Sequence, residues 1–294
     1  MGLRVAPVVA LIMICFAANS VITRYLVLVS KVSPFLVTTI RFVSGFVILL
    51  TLAGIRPASF RHPKMNSTYL LGGLFLGVYG FSISYGYLFI PVAAGTLVFY
   101  TSVVMTMVAY SLIKDKEKLT LRLCLGLLLG LLGVITITFG KVSAVTLPGV
   151  LLMIATGASW GLYSVYGRRF EVTFGYTFNS FLILGTFALV LSPAISYLDP
   201  LTLANLSPFD LGLVLYMGMV STALSYIFWN RAMNQIPAYL GGVVQVIVPI
   251  LAAIMGIVFL AERVTMPLIL GGALVLSGIY LVQFRRSSVA TKPN

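Results

Sequence analysis

Residues 117–140 read EKLTLRLCLGLLLGLLGVITITFG, and residues 262–283 read ERVTMPLILGGALVLSGIYLVQ. Each segment opens with Glu, a basic residue, an aliphatic residue and Thr, and then runs on in mostly apolar side chains, with Arg122 the one charged residue in either run. At the same offset of 145, Gly126 and Gly133 answer Gly271 and Gly278. One residue away, at an offset of 146, Ile90-Pro91 with Gly95 answers Ile236-Pro237 with Gly241. Glycine and leucine matches come easily in apolar sequence, but the polar Glu-basic-aliphatic-Thr block and the Ile-Pro pair do not. The chain therefore repeats itself, and the last two apolar blocks of each half carry the evidence.

Apolar blocks of this length set the solvent. A hydrocarbon core about 30 Å thick is spanned by about 20 helical residues. Of all residues 60 % are hydrophobic and 9 % charged, with a mean hydropathy of +1.09. A soluble domain carries roughly 25 % charged residues. Lipid is thus the outer solvent, and backbone groups must pair within each segment, as helices do. The alternating ten-residue strands of a membrane barrel are missing. Ten spans follow, at about 5–27, 34–54, 67–89, 92–113, 120–140, 147–167, 174–196, 209–230, 238–260 and 265–284. Pro34, Pro148, Pro208 and Pro267 sit at span starts, where a missing N–H costs little. The first block is too long for a signal-peptide core and is read as a span.

Five spans per half is an odd number, so the second copy must cross the membrane in the opposite sense. The predicted fold is all-α and integral to the membrane, with ten transmembrane helices in two inverted five-helix repeats. The first repeat covers 1–141, the second 142–284, and a polar tail 285–294. Lys and Arg set the orientation. With the N-terminus inside, fourteen of the nineteen fall in inner segments, four in outer ones, and Arg41 within a span. Both termini are expected in the cytoplasm. Glu117 is then inside and Glu262 outside, as inversion requires. The net charge of +13 is spread between apolar blocks, so it argues for topology and against a nucleic-acid partner.

Inverted repeats belong to carriers that alternate access around a site at mid-membrane. The two Glu-basic-aliphatic-Thr blocks, each before a glycine-spaced helix, resemble those of the drug/metabolite transporter superfamily and its EamA-type ten-helix exporters. Pro91-Val92-Ala93-Ala94, Pro249 and Arg41-Phe42 strengthen the resemblance, which spans essentially the whole chain. Within that group the chain is similar to the bacterial YddG aromatic amino-acid exporters. The resemblance implies a basket of helices around a central cavity, the bacterial inner membrane, no cofactor, and export of amino acids, metabolites or cationic drugs. The expected partners are a small-molecule substrate and the bilayer, with the chain acting as a monomer.

Polar side chains inside spans need a reason, since lipid offers them no partner. Helical spacing pairs Asn19 with Thr23, Tyr79 with Ser82, Thr96 with Tyr100, Ser159 with Tyr163 beside Trp160, and Ser221 with Ser225. Such stripes turn away from lipid, either to bond a neighbouring helix or to line a cavity. The cavity candidates are Asn19, Tyr79, Ser82, Thr96, Tyr100, Trp160, Tyr163, Ser225 and Gln245. Pro249 leaves the Gln245 carbonyl without its donor and predicts a kink. Three roles stay open for Arg41: snorkelling outward, anchoring a loop through carbonyls, or holding a substrate carboxylate. Gly73-x-x-x-Gly77 and Gly126-x-x-x-Gly130 suit close helix contact, inside one bundle or, as the alternative, at a dimer face.

Function classes fall away by missing constellations. There is no nucleophile with a base, no carboxylate pair and no metal cluster, so an enzyme is not expected. No filter loop or charged ring suggests a channel, and no Walker motif suggests ATP hydrolysis. Cys15 and Cys124 read as small apolar residues. None of the six acidic residues lies at mid-span, and His62 is in a basic loop. Transport is therefore expected to couple weakly or not at all to protons. Export of amino acids, aromatic ones favoured, is the expectation, with efflux of organic cations by proton antiport the alternative.

Overall fold

The computed structural model describes residues 6–55, 67–114, 116, 119–140, 145–170, 175–198, 206–235, 245 and 247–283. Among them ten helices follow one another: α1 (Ala6–Arg24), α2 (Pro34–Ile55), α3 (Ser67–Gly86), α4 (Val92–Lys114), α5 (Leu121–Phe139), α6 (Leu147–Phe170), α7 (Gly175–Leu198), α8, α9 (Ile247–Leu260) and α10 (Met266–Gln283). α8 runs through three pieces, Pro208–Tyr216, a wider π-helical Met217–Leu224, and Ser225–Gln235. A second π-helical turn, Tyr25–Val29, continues α1. The described residues hold no strand. Seven helices are by themselves long and apolar enough to cross a membrane, with α9 and α10 shorter apolar helices. The sequence predicts α9 from 238; residues 236–244, including Pro237 and Gly241, lie outside the described residues.

Local chemistry fixes the ends. Ser207 caps α8, accepting from the Asp210 amide at 3.0 Å, with Pro208 at the first helical position. Thr120 caps α5 by accepting from the Leu123 amide at 3.3 Å. α9 stops at Ala261, a non-glycine residue at φ 52°, and the Glu262 amide then donates to the Gly256 carbonyl at 3.2 Å. A left-handed alanine costs roughly 1–2 kcal/mol. Lys116, the residue the repeat equates with Ala261, takes the same φ of 52°. The backbone just before Glu117 and the backbone just before Glu262 therefore turn alike.

Packing follows the repeat. α1 packs on α8 and α9, and its counterpart α6 packs on α3 and α4. α3 meets α7 as α8 meets α2, while α2 meets α7 and α5 meets α10. Every one of these pairings maps onto another, or onto itself, when the two halves are exchanged. The α5–α10 contact shows it atom by atom. A Cβ on Gly126 would meet the Gly278 carbonyl oxygen at 2.7 Å, and one on Gly271 would meet that of Gly133 at 2.8 Å. Exchange of halves turns the first contact into the second. Only glycine lets the backbones approach this closely. Gly73 likewise faces Ile183 and Ser180 of α7, so it serves packing within the chain. Large apolar side chains such as Leu121, Leu128, Ile135 and Phe139 stay exposed on the outside of α5, the face a lipid solvent accepts.

Candidate solute site

Six helices send aromatic side chains to the middle of the bundle. Trp160 of α6 is the hub. Its ring centroid lies 5.4 Å from Phe16 of α1, 5.4 Å from Tyr79 of α3, 4.6 Å from Tyr226 of α8 and 5.6 Å from Tyr163, one turn along α6. Phe99 of α4 and Tyr176 of α7 extend the cluster at 6.1 Å from Tyr79 and 5.1 Å from Tyr163. All of these residues are buried. The repeat equates α1 with α6 and α3 with α8, so Phe16 against Tyr226, at 5.9 Å, mirrors Trp160 against Tyr79. Repeat-related helices of both halves thus contribute to one box of rings. Edge-on and offset ring contacts add about 0.5–1.5 kcal/mol each beyond their buried area.

Polar groups are set into this box. The Trp160 indole N–H donates to Gln245 Oε1 at 3.1 Å. The Tyr163 and Thr177 hydroxyls pair at 3.2 Å, with Asn230 Nδ2 donating to both. Asn19 Nδ2 donates to the Ser221 carbonyl at 3.1 Å, and its Oδ1 is buried without a hydrogen bond. Because a carbonyl can only accept, that bond fixes which end of the amide is nitrogen.

Arg41 breaks the symmetry. It is wholly buried, and the guanidinium meets hydroxyls rather than acids. Nε donates to Thr222 Oγ1 at 2.7 Å, and Nη2 to the Tyr79 and Tyr226 hydroxyls at 3.1 Å each. It also sits 5.2 Å from the Tyr79 ring centroid. Nη1 is buried without a hydrogen bond. Arg41 therefore neither snorkels nor anchors a loop. The π-helical turn of α8 creates this setting, because it brings Thr222 and Tyr226 round to α2. Gly218 permits the approach: a Cβ there would collide with the Arg41 carbonyl oxygen. π-helical turns often occur at functional sites.

The sequence candidates sort into two groups. Asn19, Tyr79, Trp160, Tyr163 and Gln245 converge on the box. Thr96 instead donates back to the Val92 carbonyl at 2.8 Å, and Ser225 to that of Val220 at 2.9 Å, bonds that serve their own helices. Tyr100 packs on Phe99 with centroids 4.4 Å apart, one layer behind Tyr79, and Ser82 is buried on α3. Pro249 is buried in α9, but most of the segment where its kink would show lies outside the described residues. Tyr226, Phe16 and Thr222 were missed as site residues. Tyr226 lies one residue beyond the Ser221/Ser225 stripe, which was the available signal.

At one end of the bundle the halves are tied together. Arg24 Nε lies 3.2 Å from Glu262 Oε1, both side chains largely buried. Arg24 also donates to the Tyr87 and Ile90 carbonyls, while Glu262 accepts from the Val92 amide at 2.8 Å and the Ala93 amide at 3.4 Å. A carboxylate suits a helix N-terminus. Nearby in sequence, Ser30 donates to Asp210 Oδ1 at 2.8 Å. The charge bias predicts that this end faces outward. Arg169, near the end of α6, the helix that the repeat equates with α1, is exposed. Among the described residues no three His, Cys, Asp or Glu side chains gather as a metal site.

Comparison with known proteins agrees with the two halves. The profile of the EamA-like transporter family matches twice, over residues 4–139 and 147–284. An uncharacterized protein of Pseudomonas aeruginosa is 30 % identical over 281 residues, covering 95 % of this chain and 94 % of its own length. The uncharacterized transporters YoaV and YetK of Bacillus subtilis are 26 % and 28 % identical; the alignments cover 87 % and 90 % of this chain and 89 % and 83 % of theirs. A crystal structure 21 % identical in sequence aligns over 92 % of this chain and 96 % of its own with a TM-score of 0.59, a likeness of fold.

Proposed function

From a chain that belongs to the EamA-like transporter family, we infer an exporter of amino acids, aromatic ones favoured, that works by alternating access across the bacterial inner membrane without ATP. The carrying observation is the buried box of rings around Trp160, to which both halves contribute. Its walls suit a flat apolar side chain by stacking. Rings also attract organic cations, but Arg41 opposes them. A second unit charge about 5 Å away costs about 3 kcal/mol at an effective dielectric of 20.

Alternating access needs a bond that forms at one end while its counterpart breaks at the other. Arg24 and Glu262 supply the first pair. Glu117, the repeat equivalent of Glu262, and Arg169 at the end of α6 would supply the second; Glu117 lies outside the described residues, and Lys116 before it shares the turn of Ala261. A closed Arg24–Glu262 pair and an exposed Arg169 support a state shut on the outside. The two halves, 1–141 and 142–284, then rock about the box. Among the described residues the carboxylates are Asp210 and Glu262, both engaged at that one end, which supports transport with weak or no proton coupling.

The test is uptake of radiolabelled phenylalanine, tryptophan and a charged control into liposomes holding the pure protein, with and without a pH gradient, for wild type and Trp160→Ala. Saturable uptake that favours the aromatic solutes, ignores the gradient and falls at least tenfold in the variant supports the reading. Movement of organic cations alone, driven by the gradient, would replace it with cation antiport.

A further inference from the structure

The box has two buried polar atoms left over, and they are complementary. Arg41 Nη1 offers two N–H groups to nothing, although the other three guanidinium donors are used. Asn19 Oδ1 offers lone pairs to nothing. The partners of these two residues are consecutive in α8: Asn19 bonds the Ser221 carbonyl and Arg41 the Thr222 hydroxyl. Asn19 and Arg41 thus bond consecutive residues of the π-helical turn, and each leaves one buried polar atom unused. Arg41 also sits at the phenolic ends of Tyr79 and Tyr226, the two rings that flank Trp160.

A buried cation without a counter-ion is costly, by several kcal/mol even after relaxation. The described carboxylates, Asp210 and Glu262, are engaged elsewhere, and three hydroxyl bonds and a ring face are neutral compensation only. An anionic ligand group would supply the counter-charge that the described residues do not. A buried acceptor such as Asn19 Oδ1 wants a donor in the same way.

We propose that Arg41 Nη1 receives the carboxylate, and Asn19 Oδ1 the ammonium, of a zwitterionic amino acid whose side chain enters the ring box. This deepens the amino-acid reading above and rests on it. The site is a head-group clamp with a fixed polarity, and it makes Arg41 a specificity-determining residue. The Tyr79 and Tyr226 hydroxyls orient the guanidinium so that Nη1 stays free for the ligand. Because both ends of the zwitterion are satisfied inside the bundle, the ligand enters the low-dielectric core without leaving a bare charge.

Three ligands that share one phenyl ring separate the parts: L-phenylalanine, phenethylamine without the carboxylate, and 3-phenylpropionate without the ammonium. Competition with labelled phenylalanine uptake into liposomes is read for wild type, Arg41→Lys and Asn19→Leu, each checked for a cooperative melt in detergent. Wild type should hold phenylalanine about ten- to a hundredfold better than phenethylamine, the range of a charge-assisted hydrogen bond. Arg41→Lys should weaken phenylalanine and 3-phenylpropionate while leaving phenethylamine unchanged; Asn19→Leu should do the converse. Equal affinity of wild type for phenylalanine and phenethylamine, or equal loss of all three ligands in Arg41→Lys, overturns the clamp and leaves the ring box as an aromatic-solute site. If folded wild type moves no aromatic solute, the clamp and the amino-acid reading fall together.

Discussion

Glu262→Gln removes one charge and almost no volume, so its effect isolates the ionic part of the Arg24–Glu262 tie. A glutamine oxygen can still accept from the Val92 amide, now 2.8 Å from the carboxylate. What goes is the compensation of Arg24, which is 6 % exposed and 3.2 Å from the carboxylate. Removing one partner of a buried pair costs about 3–5 kcal/mol. Arg24 keeps its bonds to the Tyr87 and Ile90 carbonyls, so the lower end applies. In an opened state water solvates Arg24 and the penalty disappears. The closed state alone therefore loses about 3 kcal/mol, and the open population rises roughly a hundredfold. A reporter cysteine at Ser82, 8 % exposed and one turn beyond Tyr79 towards the tied end, reads that population. With Cys15 and Cys124 replaced by Ser, a membrane-impermeant thiol reagent added to right-side-out vesicles should label Ser82→Cys at least tenfold faster when Glu262→Gln is present. An unchanged labelling rate in a folded double variant would refute the view that this pair holds the outer end shut.

Glu117→Gln, at the equivalent position of the first half, should leave that outer labelling unaltered or slow it, measured in the same vesicles, because it releases the opposite end. Gly133→Ala forces a Cβ to within 2.6 Å of the Gly271 carbonyl oxygen and should cost about 1–3 kcal/mol, seen as a lower melting temperature in detergent. Gly54→Ala, with nothing within 4 Å, is its neutral control. Trp160→Phe keeps a ring against Tyr79 and Tyr226 but loses the bond to Gln245, so phenylalanine uptake should fall only about three- to tenfold, against a larger loss for Trp160→Ala.

Much of this architecture can be read before any coordinates. Long apolar runs with proline at their starts fix the helices, since lipid forbids most alternatives. The Glu-basic-aliphatic-Thr blocks fix the inversion, because an odd repeat leaves no choice. Asn19, Tyr79, Trp160, Tyr163 and Gln245 stand out because polar and aromatic groups deep in a span must face other helices. What stays hidden depends on partners nearly two hundred residues away. Arg41 looks stranded in the sequence, and only the fold brings it Thr222 and Tyr226, 181 and 185 residues on. The π-helical turn of α8 has no signature in the apolar pattern, so Tyr226 is placed one residue off the face it occupies. Thr96 and Ser225 fail for a local reason. A hydroxyl in a helix can bond the carbonyl a turn behind it, and spacing cannot tell that from a cavity wall.

The glycine contact between α5 and α10 also sets an order of assembly. Gly126 and Gly133 leave the translocation machinery early, and the backbone they are shaped for, at Gly271 and Gly278, is made about 145 residues later. Until α10 arrives, the small-residue face of α5 can only touch lipid or a stray helix of another chain. The first five helices are thus a structure with one unfinished seam, closed only when α10 is synthesised. A chain cut short after 260 should insert its earlier spans and still fail quality control, recognised by the groove that nothing fills.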